Sequence, residues 1–174
     1  MESYHIYTFH QLEQFKVFIH TLSNLKTKNI WLKNTAVIKT NEYPAIKALI
    51  RTHELNIFIE ENLSLAQSLE ATGLLTHDAE KLTSLKAAMP TIKLGVIAND
   101  IADCKNAELF EADLVFLGPY EEIGLAPYLN LSPVKQDYEW MFLNIIIPLI
   151  PFGTINKIEE KELFEKCILG GIAK

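Results

Sequence analysis

Acidic side chains follow the short apolar runs of this sequence in unusual number. They occur near the ends of these runs, at Glu60, Glu61, Asp78, Glu80, Asp100, Glu121 and Glu122. The only obvious cation in the same positions is Lys33, and His77 lies beside Asp78. Several carboxylates together can hold a hard cation such as Mg2+, and without a metal they repel an anionic ligand. The pattern therefore favours a metal ion or a positively charged ligand at the ends of the runs.

Two glycine-containing turns accompany these acids. Gly118-Pro119 and Gly153-Thr154 each come at the end of an apolar run. Glycine lets the backbone approach a ligand closely, and helix N-termini favour anions, so turns of this kind often hold phosphate. Glu121 and Glu122 follow the first turn and oppose an anion. The turn is thus of the phosphate-binding kind but is followed by acids, although exposed acids are also typical of a solvated loop.

Each candidate residue has a structural interpretation as well as a functional one. Side chains alternate along a strand, so only one of Glu60 and Glu61 can point to its inner side, and we predict that this is Glu61. Lys33 is as consistent with a surface lysine as with a phosphate contact. His77 beside Asp78 fits an acid–base pair, but a structural histidine at a strand end is the commoner case.

Composition indicates one globular domain over residues 1–174, with 49% hydrophobic and 22% charged residues. A net charge of −6 argues against a non-specific nucleic-acid binder, which needs a basic face. The two cysteines, Cys104 and Cys167, lie far apart and fit helix core positions, so we expect the reducing cytoplasm. The N-terminus lacks a signal-peptide pattern, and the longest apolar run, 140–152, is too short for a bilayer span of about 20 residues. We therefore expect no membrane contact.

Short apolar runs alternate with amphipathic helical segments. The runs are 5–9, 29–33, 56–60, 73–77, 93–98, 114–118, 148–153 and 171–174. Continuous apolar runs are typical of strands buried on both faces of a parallel sheet. Eight strands and seven intervening helices predict an α/β TIM (β/α)8 barrel, with an open doubly wound sheet as the alternative. The eighth helix is missing from the pattern, and the apolar surface that this leaves predicts a homodimer through strands one and eight.

Helix signals support the intervening segments. Residues 10–27 carry apolar side chains at helical spacing, and Thr40 is predicted to cap the next helix. Ser132-Pro133 predicts a further helix start. The seventh helix is predicted to begin at Asn156 and to end at the C′ glycine Gly170.

Three stretches resemble the thiamine phosphate synthase family and its thiazole tautomerase branch. They are 60–66 followed by Gly73, then Gly95-Val96 with 112–115 and Gly118-Pro119, and finally 147–155. Their order and spacing match the family over roughly residues 29–173. The resemblance implies a TIM barrel whose site lies at the carboxyl ends of the strands. It also implies an enzyme that joins a pyrimidine diphosphate to a thiazole phosphate with the help of Mg2+.

The same resemblance assigns roles to individual residues. It implies substrate-binding roles for Lys33, Glu60, Gly118, Gly153 and Thr154, and Mg2+-binding roles for Glu61 and Glu80. Several matched positions depart from the family. Trp31, Lys33 and Thr35 stand where the family has Gln, Arg and Lys, so one diphosphate-binding cation remains. Ile97 replaces a diphosphate-binding Ser, and Pro119 replaces the His of the tautomerase branch.

Two functions follow as alternatives. The first is a thiamine phosphate synthase-like protein of thiamine biosynthesis with a degenerate site, whose partner is a small phosphorylated substrate or thiamine phosphate. The second is a non-catalytic barrel relative that binds another ligand or a protein partner. A weaker third hypothesis is an enzyme with new chemistry, in which Glu61, His77 or Glu80 acts as an acid–base group.

Overall fold

Parallel strands alternate with helices along the chain. The structure is a computed structural model that describes residues 3–22, 28–120, 144–153 and 172–173. Its strands and helices are β1 (Ser3–Thr8), α1 (Leu12–Leu22), β2 (Asn29–Lys33), α2 (Tyr43–Thr52), β3 (Asn56–Glu60), α3 (Leu63–Leu69), β4 (Gly73–Thr76), α4 (Leu82–Ala88), β5 (Lys93–Ala98), α5 (Ile101–Leu109), β6 (Leu114–Tyr120), β7 (Leu149–Gly153) and β8 (Ile172–Ala173). Short 3-10 turns cover Thr35–Val37, Thr40–Glu42 and Ala79–Lys81.

The strands pair in parallel and in chain order, which curls the sheet. Each strand from β1 to β7 pairs with the next one along the chain. The two residues of β8 pair with β7 and with β1. This order lacks the reversal that defines a doubly wound sheet. The predicted α/β class is confirmed, and the fold is TIM-like.

Alternation along the strands builds two apolar layers. Outward side chains such as Ile30 and Ile57 pack against the helices, whose own buried residues include Ile19 and Ile46. Inward side chains form a second layer, which we call the inner cluster: Tyr4, Trp31, Phe58, Leu75, Ile97, Leu114, Phe116, Ile150 and Phe152. Because its rings lie in edge-to-face or tilted contact, the inner side of the sheet is packed with side chains.

The helix starts differ in detail from the prediction. Thr40 lies in a 3-10 turn ahead of α2, and α2 itself begins at Tyr43, so the predicted Thr40 cap is wrong. The Glu42 carboxylate accepts the backbone N–H of Lys39 at 2.8 Å instead, which closes the turn that precedes the helix. Pro44 is tolerated because it lies in the first turn of α2, where its missing N–H has no intrahelical partner to lose.

Strand β6 also continues further than predicted. The sequence predicted an end at Gly118-Pro119, but the strand runs to Tyr120 through a register shift in its pairing with β7. Gly118 has a φ of 148°, a backbone conformation that residues other than glycine rarely adopt. The glycine therefore permits the register shift in β6.

Several predictions lie outside the described residues. They concern Glu121, Glu122, Thr154, Cys167 and the helices predicted from Ser132 and Asn156. Within the described ranges, no helix combines the length and apolarity that crossing a membrane requires.

Candidate functional site

Glu60 lies at the centre of a polar cluster at the carboxyl ends of β2, β3 and β4. Its Oε2 atom accepts a 2.8 Å hydrogen bond from Trp31 Nε1 and lies 4.0 Å from Lys33 Nζ. Its Oε1 atom lies 3.3 Å from His77 Nε2. The side chain is 18% exposed, so the carboxylate is mostly removed from water but still reachable. We call Trp31, Lys33, Glu60 and His77 the Glu60 cluster.

The backbone explains why Glu60 faces inward. Phe58 belongs to the inner cluster, and Glu60 comes two residues later on the same strand, so both side chains share one face. The prediction that Glu61 points inward is therefore wrong. Glu61 lies just beyond β3 with φ 53°, and this left-handed conformation breaks the alternation of the strand.

Glu61 instead joins the end of β3 to the end of β4. Its Oε1 atom accepts hydrogen bonds of 2.8 Å from Thr76 Oγ1 and from the backbone N–H of His77. Its Oε2 atom lies 3.6 Å from Lys81 Nζ. Partial burial acts to raise the pKa of this carboxyl, but the His77 and Thr76 hydrogen bonds and the Lys81 charge outweigh it and hold the pKa below its ordinary value.

Further side-chain bonds fasten the neighbouring strand ends. Asn34 Nδ2 donates to the Phe9 carbonyl at 2.9 Å, which links the segment after β1 to the segment after β2. Thr35 Oγ1 donates to the Glu60 carbonyl at 3.3 Å, which links the segment after β2 to β3. Together with the hydrogen bonds of Glu61, these bonds connect the carboxyl ends of β1, β2, β3 and β4, each to the next. The Glu60 cluster is thus held on a preorganised support.

Two of the acidic residues at the strand ends cap helical segments. Asp78 accepts from the Glu80 N–H at 3.0 Å and caps a 3-10 turn. Asp100 accepts from the Asp103 N–H at 2.9 Å and caps α5. Lys81 is a further cation near the strand ends, where the sequence had indicated only Lys33. A cap signal, an Asp directly before a helical segment, is the feature that could have removed both aspartates from the count.

The donor set around Glu61 and Glu80 does not fit the Mg2+ site that the family resemblance implies. Glu80 lines a cleft of about 190 Å3 between the β4 end and α5, together with His77, Asp78, Asp103 and Asn106, and Glu61 is not part of its lining. Glu61 already accepts two hydrogen bonds and faces Lys81. In the part of the chain that the structure describes, no group of three or more His, Cys, Asp and Glu side chains is placed to hold a metal ion.

The remaining predicted site residues lie on other strands. Gly118 is in β6 and Gly153 ends β7, where it pairs with Tyr120. Lys33 ends β2, as its position in the sequence predicted, and it lies beside Glu60; its substrate-binding role stays a prediction. Trp31 was not identified from the sequence as a polar residue of the site, but its Nε1–H donates a hydrogen bond to Glu60.

Comparison with known proteins adds information at the level of the fold. No family model matches the sequence, and no curated protein sequence matches it significantly. A thiamine phosphate pyrophosphorylase from Pyrococcus furiosus superposes with a TM-score of 0.75 and 19% identity, covering 99% of this chain and 84% of that chain. An N-acetylmannosamine-6-phosphate 2-epimerase from Clostridium perfringens superposes with a TM-score of 0.71 and 13% identity, covering 99% and 85%.

An aldolase shows the same likeness. The 2-keto-3-deoxy-6-phospho-gluconate aldolase from Zymomonas mobilis superposes with a TM-score of 0.66 and 15% identity, covering 99% of this chain and 81% of that chain. Identities this low establish a shared fold and no shared activity. The chain therefore has the TIM-like α/β fold that is also found in a thiamine phosphate pyrophosphorylase, a sugar-phosphate epimerase and an aldolase.

Proposed function

We propose that this protein is a thiamine phosphate synthase-like relative that binds a small ligand at the carboxyl ends of its strands. In this proposal it does not join a pyrimidine diphosphate to a thiazole phosphate. The likeness to the pyrophosphorylase supports the fold and the position of the site. The side chains at that position support a different ligand.

One observation carries the proposal: the cations beside the site are already opposed by carboxylates. Lys33 lies 4.0 Å from Glu60, and Lys81 lies 3.6 Å from Glu61. A departing diphosphate needs positive groups that are free to stabilise its charge, and each such group is typically worth about 10²–10³ in rate. A diphosphate here would have to compete with Glu60 for Lys33 while facing the Glu60 carboxylate itself.

A thermal-shift panel tests the proposal that the protein does not carry out the thiamine phosphate synthase reaction. The ligands are thiazole phosphate, thiamine phosphate and diphosphate, each with and without Mg2+, and the parallel assay measures thiamine phosphate formation. A ligand at about 100 times its dissociation constant would add about 2.7 kcal/mol, which is easily seen. We expect no shift and no product. A Mg2+-dependent shift that Glu61→Ala abolishes would instead support Mg2+ and the synthase activity.

A screen of small metabolites tests the proposal that the protein binds a small ligand at the carboxyl ends of its strands. We expect at least one class of compound to stabilise the wild-type protein and not Glu60→Ala, because Glu60 is the central polar group of the site. Lys86→Ala is the matched control, since Lys86 pairs with Glu111 on the outside of the molecule. If every stabilising compound acts equally on Glu60→Ala, the ligand site lies elsewhere.

A second candidate function is proton transfer on a bound ligand. The observation that favours it is the 3.3 Å separation of His77 Nε2 and Glu60 Oε1, which allows one group to orient or relay a proton for the other. His77 is 53% exposed and accessible to a ligand. The test incubates each screening hit with the protein in D2O. Deuterium incorporation that His77→Gln abolishes would support this function, and no incorporation into any hit would contradict it.

We also propose that β8 completes the barrel and that the chain forms a homodimer. The pairing of Ser3 with Ile172 supports closure. The variant Ser3→Cys/Ile172→Cys, made with Cys167→Ser, is expected to form a disulfide, because paired residues on neighbouring strands lie within bridging distance. Sedimentation at micromolar concentration checks the dimer directly, and a monomer would contradict it.

A further inference from the structure

We propose that the Trp31 ring and the Glu60 carboxylate form a binding site for an organic cation, and that the Lys33 ammonium occupies this site when no ligand is bound. The inference rests on the proposed function, because it names the ligand class of the same site. Lys33 Nζ lies over the Trp31 ring, 5.0 Å from its centroid, and 4.0 Å from Glu60 Oε2. An aromatic face beside a carboxylate is the arrangement that recognises ammonium groups.

The ring and the carboxylate are fixed relative to each other before any ligand arrives. The Trp31 Nε1–H donates to Glu60 Oε2 at 2.8 Å, and the Glu60 carbonyl accepts from Thr35 Oγ1 at 3.3 Å. Phe116 and Phe152 pack on Trp31 from the inner cluster, each with a centroid separation of 4.9 Å. A binding site that needs no reorganisation loses little conformational entropy when a ligand binds.

Lys33 is the mobile part of this arrangement. Its side chain is 37% exposed, whereas Trp31 is 1% exposed. A lysine ammonium sits on a flexible four-carbon stem and can move into water at little cost. Its departure would leave the Trp31 face and the Glu60 carboxylate to an incoming cation.

The charges at the site favour a cation over an anion. A cation needs only to replace the Lys33 ammonium, and it regains the same attraction to Glu60 and to the ring. An anion would have to separate Lys33 from Glu60 and would then be repelled by the Glu60 carboxylate. Glu61 contributes a second negative charge just beyond the end of β3, although Lys81 opposes it.

Tryptophan fluorescence provides a direct readout. The sequence has two tryptophans, so Trp140→Phe leaves Trp31 as the only one. The probe is tetramethylammonium chloride, titrated at pH 8 and at constant ionic strength against sodium chloride. Choline and its neutral isostere 3,3-dimethylbutan-1-ol form a second pair that separates charge from shape.

In this background Lys33→Ala removes the internal competitor. We expect it to bind tetramethylammonium at least about fivefold more tightly than the parent, and we expect Glu60→Gln added to Lys33→Ala to reverse that gain. Equal affinity of parent and Lys33→Ala, or equal binding of the neutral isostere and choline, would overturn the proposal. If Lys33→Ala does not fold, as judged by circular dichroism, Lys33→Gln is measured in its place with the same expected result.

The two proposals fail in distinguishable ways. Failure of the cation proposal leaves the metabolite screen and its Glu60→Ala control unaffected. Failure of the proposed function appears as turnover or as Mg2+-dependent phosphate binding by the wild-type protein, which the fluorescence titration does not measure.

Discussion

At the scale of single residues, the hydrogen bond between Trp31 and Glu60 is the contact that joins the apolar interior to the polar site. We expect Trp31→Phe and Glu60→Ala each to lower the free energy of unfolding, and their combined effect to be smaller than the sum. The expected coupling is about 1–2 kcal/mol, because the acceptor is charged and mostly buried. Urea unfolding of the four proteins in the cycle measures it. Additive effects would show that the bond contributes nothing to stability.

Glu61 predicts a pH dependence of stability. Its pKa is lowered in the folded protein, so the stabilisation is present above the unfolded value of about 4.3 and is lost as the pH falls through the folded value. We expect Glu61→Gln to be less stable than wild type at pH 7, and the two proteins to converge at about pH 3 or below. Urea unfolding at both pH values gives the comparison. A difference that stays constant would contradict the assigned hydrogen bonds from Thr76 and His77.

Cys104 is expected to be chemically inert in the folded protein. Burial, with smaller effects from Asp103 and Asp100, raises the pKa of its thiol to about 12, and the thiolate is the reactive form. In a Cys167→Ser background, a thiol reagent at pH 8 should modify the protein in strong urea and leave the native protein unmodified. Rapid native modification would contradict the buried placement of Cys104.

Residue chemistry was only partly predictable from sequence. Lys33 and Glu60 were correctly placed at strand ends, because continuous apolar runs define where strands stop. The orientation of Glu61 was not predictable, since it depends on one left-handed φ that a glutamate rarely adopts. Lys81 was missed because the contact between Lys81 and Glu61 joins residues from different strand ends, and spacing along the chain does not reveal it.

At the scale of elements, Gly73 makes room for a ring on the neighbouring strand. Gly73 pairs with Phe58, and a Cβ added at Gly73 would overlap Phe58 Cδ1 and lie 3.2 Å from the Lys93 carbonyl oxygen. We expect Gly73→Ala to cost about 1–3 kcal/mol of stability through overpacking. In a Phe58→Leu background the same change should cost less. An equal cost in both backgrounds would show that the Phe58 ring is not the obstacle.

The strands were more predictable than the segments that connect them. β2, β3 and β5 match the predicted runs to the residue, because burial on both faces requires an unbroken apolar sequence. The end of β6 was predicted too early, because a glycine with φ 148° allows the strand to continue where a turn was expected. The turn before α2 is closed by a hydrogen bond that the Lys39 N–H donates to the Glu42 carboxylate, which helix propensity alone does not indicate.

At the scale of the whole molecule, pairing in chain order brings distant strands together through the inner cluster. Phe116 on β6 lies within 6.3 Å, between ring centroids, of rings on β1, β2 and β3: Tyr4 at 5.3 Å, Trp31 at 4.9 Å and Phe58 at 6.3 Å. Continuous apolar runs predicted strands that are buried on both faces, but the partners of each ring depend on the curl of the sheet. Phe116 therefore links parts of the sheet that are far apart in sequence.

This position of Phe116 predicts a global response to its loss. We expect Phe116→Ala to lower the free energy of unfolding by about 3–5 kcal/mol, because the side chain is fully buried. Native-state hydrogen exchange should show reduced protection in β1, β2 and β3 as well as in β6. Phe18→Ala is the control, since Phe18 is half-buried on α1 and stacks on Tyr7. It should cost less, with changes confined to α1 and β1. If Phe116→Ala affects β6 alone, the inner cluster does not couple the strands, and the support for the Glu60 site is local to β1–β4.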